Sequence, residues 1–211
     1  MSMNKRISKL FKVLLVSINK LSNEDLMTEL NNGNTEAFEV LFNRYKDPIY
    51  SYICNMTFQE SVASELTQEV FFKVFNKSSQ YNPQNKFTTW LWAIARNTTI
   101  DYLKSKDATR FTIDINSFED TESNNMDSIE SDLEGAETLI IKAMASSEIL
   151  KAMKTLKDNQ QEVLSLRVLN EFSYYEIAEI MKISKSSVKS LLHRAKENLL
   201  KEIKRKEGSN E

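Results

Sequence analysis

The sequence has few of the residues that build turns, disulfides and metal sites. Its 211 residues include one cysteine, one histidine, two prolines and three glycines. So few glycines and prolines argue against a turn-rich β fold and predict an all-α protein. One cysteine and one histidine leave no disulfide, zinc cluster or Ser/His or Cys/His catalytic pair, and they fit a reducing, cytoplasmic setting. We therefore expect no metal and no cofactor.

The start of the chain lacks a long apolar run. Lys9 and Lys12 lie close before a short apolar stretch, residues 13–16. A membrane-spanning helix needs roughly 20 apolar residues, and the small-residue cleavage site of a signal peptide does not follow. We interpret residues 1–20 as a basic amphipathic extension and expect no stable membrane insertion.

Charge of the two signs is separated along the chain, although the net charge is only −2. Residues 107–139 contain ten acidic side chains and a single basic one, Arg110. No helical or strand period persists there, so residues 107–142 are predicted to be an acidic, flexible linker. Residues 182–207, in contrast, contain nine Lys and Arg side chains against three Glu. In the net charge of the whole chain, the acidic linker therefore offsets a basic C-terminal end, and the positive charge of that end suits binding to DNA.

Residues 174–195, YYEIAEIMKISKSSVKSLLHRA, have the apolar pattern of a helix-turn-helix. Ala178 stands where only a small side chain lets the two helices approach, and Ser184 is a suitable N-cap for the second helix. Lys182 stands where the turn favours glycine, and a left-handed lysine there costs on the order of 1 kcal/mol. The packing positions are all apolar: Ile177, Met181, Ile183, Val188 and Leu191.

The second helix of this motif is predicted to bury Val188, Leu192, Ala195 and Leu199. Small hydroxyls among cations on its other face suit a major groove, where serine bonds base edges or phosphates and lysine neutralises phosphate. A solvated helix face is the alternative. The candidate DNA-contacting residues are Lys185, Ser186, Ser187, Lys189, Ser190, His193, Arg194 and Lys196.

Helix boundaries can be read in the first half of the chain. Ser22 is a suitable N-cap for a helix through Leu30, and Gly33 is suited to end it. Asp47 and Pro48 predict that the chain kinks or restarts at that point.

A helix predicted over residues 59–75 has more apolar residues than one core-facing stripe can use. Val62, Leu66, Val70 and Val74 form the stripe. A neighbouring face carries two carboxylates, an amide and a phenyl ring at spacings of three and four: Glu65, Gln68, Glu69 and Phe72. We interpret this face as a protein-binding surface. The alternatives are that Phe72 is core and that Glu65 and Glu69 serve metal-dependent catalysis.

A polar loop, SSQYNPQNKF, leads into a helix, FTTWLWAIARNTTIDYLKSK, that interleaves aromatic and basic residues. Leu91, Ile94, Ala95, Thr98 and Tyr102 are its predicted core stripe. Aromatic rings beside cations suit single-stranded nucleic acid, because bases stack on the rings while cations follow the backbone. Core packing of the tryptophans is the alternative. The candidate residues are Asn82, Asn85, Thr88, Trp90, Trp92, Arg96, Asn97 and Lys104.

These motifs resemble a known family. LSNEDLMTELNNGNTEAFEVLFNRY, ELTQEVFFKVF and TTWLWAIARNTTIDYLK resemble region two of bacterial sigma factors, and the segment LKDNQQEVLSLRVLNEFSYYEIAEIMKISKSSVKSLLHRAKENL resembles region four. A chain with these two modules alone is similar to the members of the extracytoplasmic-function group of the sigma-70 family. The resemblance implies a region two helical bundle at 21–106 and a region four helix-turn-helix domain at 143–207.

The resemblance also implies a task for each surface. The Glu65–Phe72 face would bind core RNA polymerase, the loop and aromatic helix would hold the opened minus-ten strand, and the helix-turn-helix would read the minus-thirty-five element. Promoter DNA and core RNA polymerase are thus the expected partners, with an anti-sigma factor as a further one, and no enzymatic activity is expected. A ligand-sensing helix-turn-helix repressor remains the alternative.

Overall fold

The computed structural model describes residues 18–106 and 151–207, called here the N-terminal and C-terminal segments. The predicted linker, residues 107–142, and most of the basic extension lie outside the described residues. The N-terminal segment is helical throughout, with a short 3-10 turn, Ser78–Gln80, before its last helix. Its helices are α1 (Asn23–Asn31), α2 (Thr35–Thr57), α3 (Glu60–Asn76) and α4 (Phe87–Lys106).

The ends of α1 follow the sequence prediction. The Ser22 hydroxyl accepts a hydrogen bond from the Asp25 amide at 3.0 Å, as an N-cap does. Gly33 follows the helix with φ at 91°, a backbone conformation that costs glycine little. Ile18, near the end of the predicted extension, is buried in the core.

The predicted restart of the chain at Pro48 is wrong, because α2 runs from Thr35 to Thr57 with Pro48 inside it. Proline removes one backbone hydrogen bond from a helix interior. Val40, Leu41 and Ile49 lie on both sides of this position and are all buried. We attribute the unbroken helix to this packing, which offsets the lost bond.

The C-terminal segment contains α5 (Asp158–Leu164), a π-helical turn (Ser165–Leu169), α6 (Tyr174–Met181) and α7 (Lys185–Glu207). Lys182 is left-handed, with φ at 57°, and Ser184 caps α7 by accepting a hydrogen bond from the Ser187 amide at 3.0 Å. Both predictions about this turn are confirmed. Together α6 and α7 form the predicted helix-turn-helix.

The all-α prediction is confirmed, since no strand occurs within residues 18–106 or 151–207. The buried apolar side chains of the two segments belong to one cluster. Contacts between the segments run mainly from α4 to α6, and from α2 to α5 and the π-helical turn. Within the described ranges, none of the helices combines the length and apolar character that a membrane crossing requires.

Candidate functional site

The predicted protein-binding face of α3 is exposed along its whole length. Glu65, Gln68, Glu69 and Phe72 all face solvent, and Phe72 is 68% exposed. The opposite side of the same helix is buried through Leu66, Val70 and Val74, whereas Val62 is only partly buried. The alternative that Phe72 belongs to the core is therefore wrong. A phenyl ring left in water on a packed helix is the kind of residue that anchors a partner.

The apolar part of this face is larger than the sequence pattern indicated. Phe75, one turn after Phe72, is 43% exposed, and its ring meets Phe38 of α2 edge to face with centroids 5.2 Å apart. The spacing of three residues between Phe72 and Phe75 was a signal that could have identified it. Glu69 pairs with Lys73 at 2.7 Å, so the acidic group lies beside the apolar patch with its charge partly balanced.

No group of three or more His, Cys, Asp or Glu side chains within residues 18–106 and 151–207 is placed to hold a metal ion. Glu65 and Glu69 are both exposed on one helix.

Four of the eight predicted DNA-contacting residues on the loop before α4 and on α4 are exposed to solvent. Asn82, Asn85, Asn97 and Lys104 are exposed, and Thr88 is partly buried. Trp90 is also partly buried, with its ring 5.2 Å from that of Tyr81. These side chains lie on the loop and along α4.

Trp92, a candidate DNA-contacting residue, follows the alternative of core packing: it is 2% exposed. Its ring packs edge to face between Tyr52 of α2 and Phe172 of the C-terminal segment, with both centroid distances 5.2 Å. The periodicity of α4 alone could not reveal this, because Phe172 is 80 residues away in sequence. We therefore correct Trp92 from an exposed base platform to a buried contact between the segments.

Arg96, one helical turn after Trp92, is also turned towards the C-terminal segment. Its guanidinium makes an ion pair with Glu162 of α5: Nε donates to Oε1 and Nη2 donates to Oε2, the latter at 3.3 Å. The two side chains are 11% and 1% exposed. Arg96, a candidate DNA-contacting residue, therefore faces the C-terminal segment instead of solvent.

Burial raises the pKa of the Glu162 carboxyl, and the adjacent Arg96 guanidinium opposes this shift. Burial also raises the pKa of the nearby Tyr52 hydroxyl well above its ordinary value, with the Glu162 charge contributing. Sequence reasoning missed Glu162, because nothing in its local pattern, DNQQEVL, distinguishes it from a surface helix residue.

Two further polar contacts join the segments. Lys86 of the loop and Glu176 of α6 make an ion pair at 2.9 Å, and the Gln161 side chain donates to the Asn55 carbonyl. Partial burial would raise the pKa of Glu176, but hydrogen bonds from Lys86 and Ser173 outweigh it and lower that pKa. Ser173 and Glu176 also form a capping box. The S-x-x-E spacing was a sequence signal for this box.

The outward face of α7 carries most of the predicted DNA-contacting residues. Lys185, Ser186, Ser190 and His193 are exposed, while Ser187, Lys189 and Arg194 are partly buried. The Ser184 hydroxyl lies 2.8 Å from that of Ser186 and 2.7 Å from that of Ser187, so the hydroxyls cluster at the start of the helix. This arrangement fits a helix whose N-terminal turns enter a groove.

Lys196 was predicted to belong to this DNA-contacting set, but it is buried, at 4% exposed. It follows Leu192 by four residues and precedes Leu199 by three, so it shares the buried side of α7. Asn198 donates a hydrogen bond to Gln160 of α5 at 3.1 Å, so α7 also contacts α5. Lys196 therefore does not present its charge to DNA in this fold.

Each of the two segments matches the model of a known protein family. Residues 41–109 match the model for sigma-70 region 2, and residues 146–199 match the model for sigma-70 region 4. These matches lie in the order that the sequence motifs indicate.

Among curated relatives, the chain is 28% identical to the ECF RNA polymerase sigma factor BldN of Streptomyces coelicolor over 81% of its own length and 62% of that protein's. It is 30% identical to the ECF RNA polymerase sigma factor SigW of Bacillus subtilis over 83% of its length and 94% of that protein's. The chain thus spans under two thirds of BldN and nearly all of SigW.

Two solved structures share the fold. CnrH, determined in complex with the cytosolic domain of CnrY, superposes with a TM-score of 0.59 at 19% identity, covering 84% of this chain and 94% of that one. The sigma factor RpoE of Bartonella quintana, determined with the anti-sigma factor NepR, gives a TM-score of 0.58 at 17% identity, with 79% and 96% covered.

Proposed function

The chain belongs to the sigma-70 family of RNA polymerase sigma factors, in its extracytoplasmic-function group, and on that premise we propose how its surfaces divide the work of promoter recognition. The exposed face of α3 binds core RNA polymerase. The loop before α4 and the exposed side of α4 hold the opened minus-ten strand. The outward face of α7 reads the minus-thirty-five element.

The exposure of Phe72 is the observation that carries the polymerase assignment. At 68% exposed, the ring stands in water on a helix whose other side is buried through Leu66, Val70 and Val74. Phe75 and the Phe38 ring extend the apolar patch, and Glu65, Gln68 and Glu69 border it with polar groups. An aromatic anchor with a polar rim is the usual composition of a protein-binding surface.

The DNA assignments are supported by exposure and chemistry. Asn82, Asn85, Asn97 and Lys104 offer amide and ammonium groups to a single strand, and the partly buried Trp90 offers a ring for stacking. On α7, Lys185 and Ser190 are exposed in the first turns, where lysine neutralises phosphate and serine bonds base edges or phosphate.

Core RNA polymerase and promoter DNA are the proposed partners, and an anti-sigma factor is proposed as a further one. The proposed location is the cytoplasm, where transcription takes place, and the proposed role is a non-enzymatic one. Because sigma regions 2 and 4 match the two segments, the repressor alternative receives no support.

Binding to core polymerase tests the proposal most directly. We expect Phe72→Ala and Glu69→Lys each to weaken binding by ten-fold or more, since burying an aromatic anchor is worth about 2 kcal/mol. Glu39→Lys is the control, because Glu39 is an exposed carboxylate on α2 rather than α3. Binding is measured by titrating core enzyme against the labelled full chain, and promoter-directed transcription is measured in parallel. Unchanged affinity in both α3 variants, with normal circular dichroism, would refute the assignment.

A further inference from the structure

A cleft of about 850 Å³ lies between the two segments, away from the proposed polymerase-binding and minus-thirty-five surfaces, since no residue of α3 or α7 lines it. Its N-terminal wall comes mainly from the middle of α2, and its C-terminal wall is formed by residues 169–172. Small-molecule sites in proteins have volumes of roughly 300 to 1,000 Å³. The cleft therefore has room for a ligand that would contact both segments.

The walls of the cleft are largely aromatic and apolar. Tyr45 and Tyr50 of α2 line it and are both partly buried, and Leu169 is 38% exposed. Trp92 and Phe172 also line it, and they are only 2% and 8% exposed, so they lie at its base. Walls of this kind bind a ligand with an aromatic or alkyl body.

The charged groups at the cleft are all negative. Asp47 and Glu171 line it, one from each segment, and both are exposed. The lining, which lies wholly within the described ranges, contains no Lys, Arg or His. Within those ranges neither carboxylate takes part in an ion pair. The cleft therefore attracts a cation and repels an anion such as a DNA phosphate.

Glu171 is presented to the cleft from a fixed and strained turn. Its φ is 55°, a left-handed conformation that is unfavourable for a residue with a Cβ. The Phe172 amide donates to the Leu166 carbonyl at 3.2 Å, and the Asn170 side chain donates to the Ser165 carbonyl at 2.9 Å. These bonds hold the turn on both sides of Glu171, so its carboxylate starts from a preorganised backbone.

We infer that the cleft is a binding site for a small organic cation, an amine attached to an aromatic or alkyl body. The body packs against Tyr45, Tyr50 and Phe172, and the ammonium group lies near the carboxylates of Asp47 and Glu171. Attraction between the cation and the faces of the tyrosine rings adds to the affinity. The inference goes beyond the proposed contacts with polymerase and DNA and does not depend on them.

Cys54 provides a reporter of occupancy. It is the single cysteine of the sequence, is partly buried and lines the cleft. Burial raises the pKa of its thiol, and the Glu60 charge adds to this shift, so the thiol is neutral at pH 7 and adds no charge to the site. A bound ligand would shield Cys54 from a soluble reagent and slow its reaction with a maleimide.

The test offers the full chain three probes that share a phenylpropyl body and differ in charge at pH 7. They are 3-phenylpropylamine, a cation, 3-phenylpropan-1-ol, which is neutral, and 3-phenylpropanoate, an anion. Equilibrium dialysis measures binding, and the rate of maleimide addition to Cys54 measures protection. We expect the amine to bind about ten-fold more tightly than the alcohol and to slow the Cys54 reaction. The anion is expected to bind more weakly than either.

Two substitutions locate the amine. Asp47→Asn and Glu171→Gln each remove one negative charge while keeping the shape of an exposed side chain. Each is expected to reduce the preference for the amine over the alcohol by about three-fold, and the double variant is expected to abolish it. Asp101→Asn is the matched control, because Asp101 is an exposed carboxylate on α4 that does not line the cleft.

The outcomes are distinct from those of the polymerase experiment with Phe72. Equal binding of the amine and the alcohol, tighter binding of the anion, or no binding of the amine overturns the inference. Amine binding that leaves Cys54 unprotected, or that persists unchanged in the double variant, places the amine elsewhere and overturns it as well. Protection of Cys54 by the amine, with the preference lost in the double variant and kept in Asp101→Asn, supports it.

Discussion

Trp92 and Phe172, 80 residues apart in the chain, meet edge to face with ring centroids 5.2 Å apart and ring planes at 77°. Phe172 reaches this position through a left-handed residue before it, Glu171, with φ at 55°. Its backbone amide also donates to the Leu166 carbonyl at 3.2 Å. The pair joins α4 to the C-terminal segment, so the packing of one affects the exposure of the other.

Phe172→Ala is expected to lower the free energy of unfolding by about 3 kcal/mol, because a buried ring that packs on Trp92 is lost. Tryptophan emission should also shift to longer wavelength as Trp92 gains water. Urea denaturation followed by fluorescence measures both effects. Phe72→Ala is the control, because Phe72 is 68% exposed and its loss should change stability by less than about 0.5 kcal/mol. Equal effects of the two substitutions would contradict the packing described.

Lys182→Gly is expected to raise the free energy of unfolding of the C-terminal segment by about 0.5 to 1 kcal/mol, since glycine adopts the left-handed conformation without the cost of a Cβ. The φ of 57° at Lys182 supports this direction. Chemical denaturation of the full chain measures it. Lys201→Gly, at an exposed position inside α7, should instead lower stability by about 1 kcal/mol. A loss of stability at Lys182 would show that this turn does not strain lysine.

Glu176→Gln should remove a pH-dependent part of the stability. Hydrogen bonds from Lys86 and Ser173 lower the pKa of Glu176 below its ordinary 4.5. A lowered carboxyl pKa adds stability above pH 4.5, and this stability is lost as the pH falls through the folded-state pKa.

At neutral pH Glu176→Gln is therefore expected to cost about 0.5 to 1 kcal/mol, while glutamine keeps the capping box. Denaturation curves at pH 7 and pH 3 give the comparison, with Glu60→Gln, an exposed carboxylate on α3, as the control. A difference from the parent protein that persists undiminished at pH 3 would rule out this source of stability.

Lys185→Ala and Ser190→Ala should affect DNA binding differently. Loss of a phosphate-neutralising lysine weakens binding to all sequences and reduces the slope of log affinity against log salt by roughly 0.9. Loss of a base-reading serine mainly erodes discrimination between sequences. Titrations of the full chain with promoter and scrambled duplexes across a salt series separate the two.

Lys196→Ala is the contrasting variant in this series. Its side chain is 4% exposed, so its loss should lower stability and leave the salt slope unchanged. If neither Lys185→Ala nor Ser190→Ala changes affinity, slope or discrimination, the outward face of α7 is only a solvated surface.

The sequence by itself determined the features that depend on near neighbours in the chain. The Ser22 and Ser184 caps and the left-handed Lys182 follow from which side chains can satisfy or adopt a local backbone geometry. The exposed face of α3 follows from helical periodicity, which places Glu65 and Phe72 on the side opposite Leu66. The family motifs then identified both modules.

Only the tertiary structure decided which side of each helix meets a distant partner. The sequence pattern left Trp92, Arg96 and Lys196 outside the apolar stripes, yet all three lie largely out of solvent. Trp92 packs on Phe172 and Arg96 pairs with Glu162, contacts that periodicity within one helix cannot reveal. The continuous helix at Pro48 has the same origin. A local backbone penalty or a buried charge is tolerated when packing and ion pairing from another part of the chain outweigh its cost.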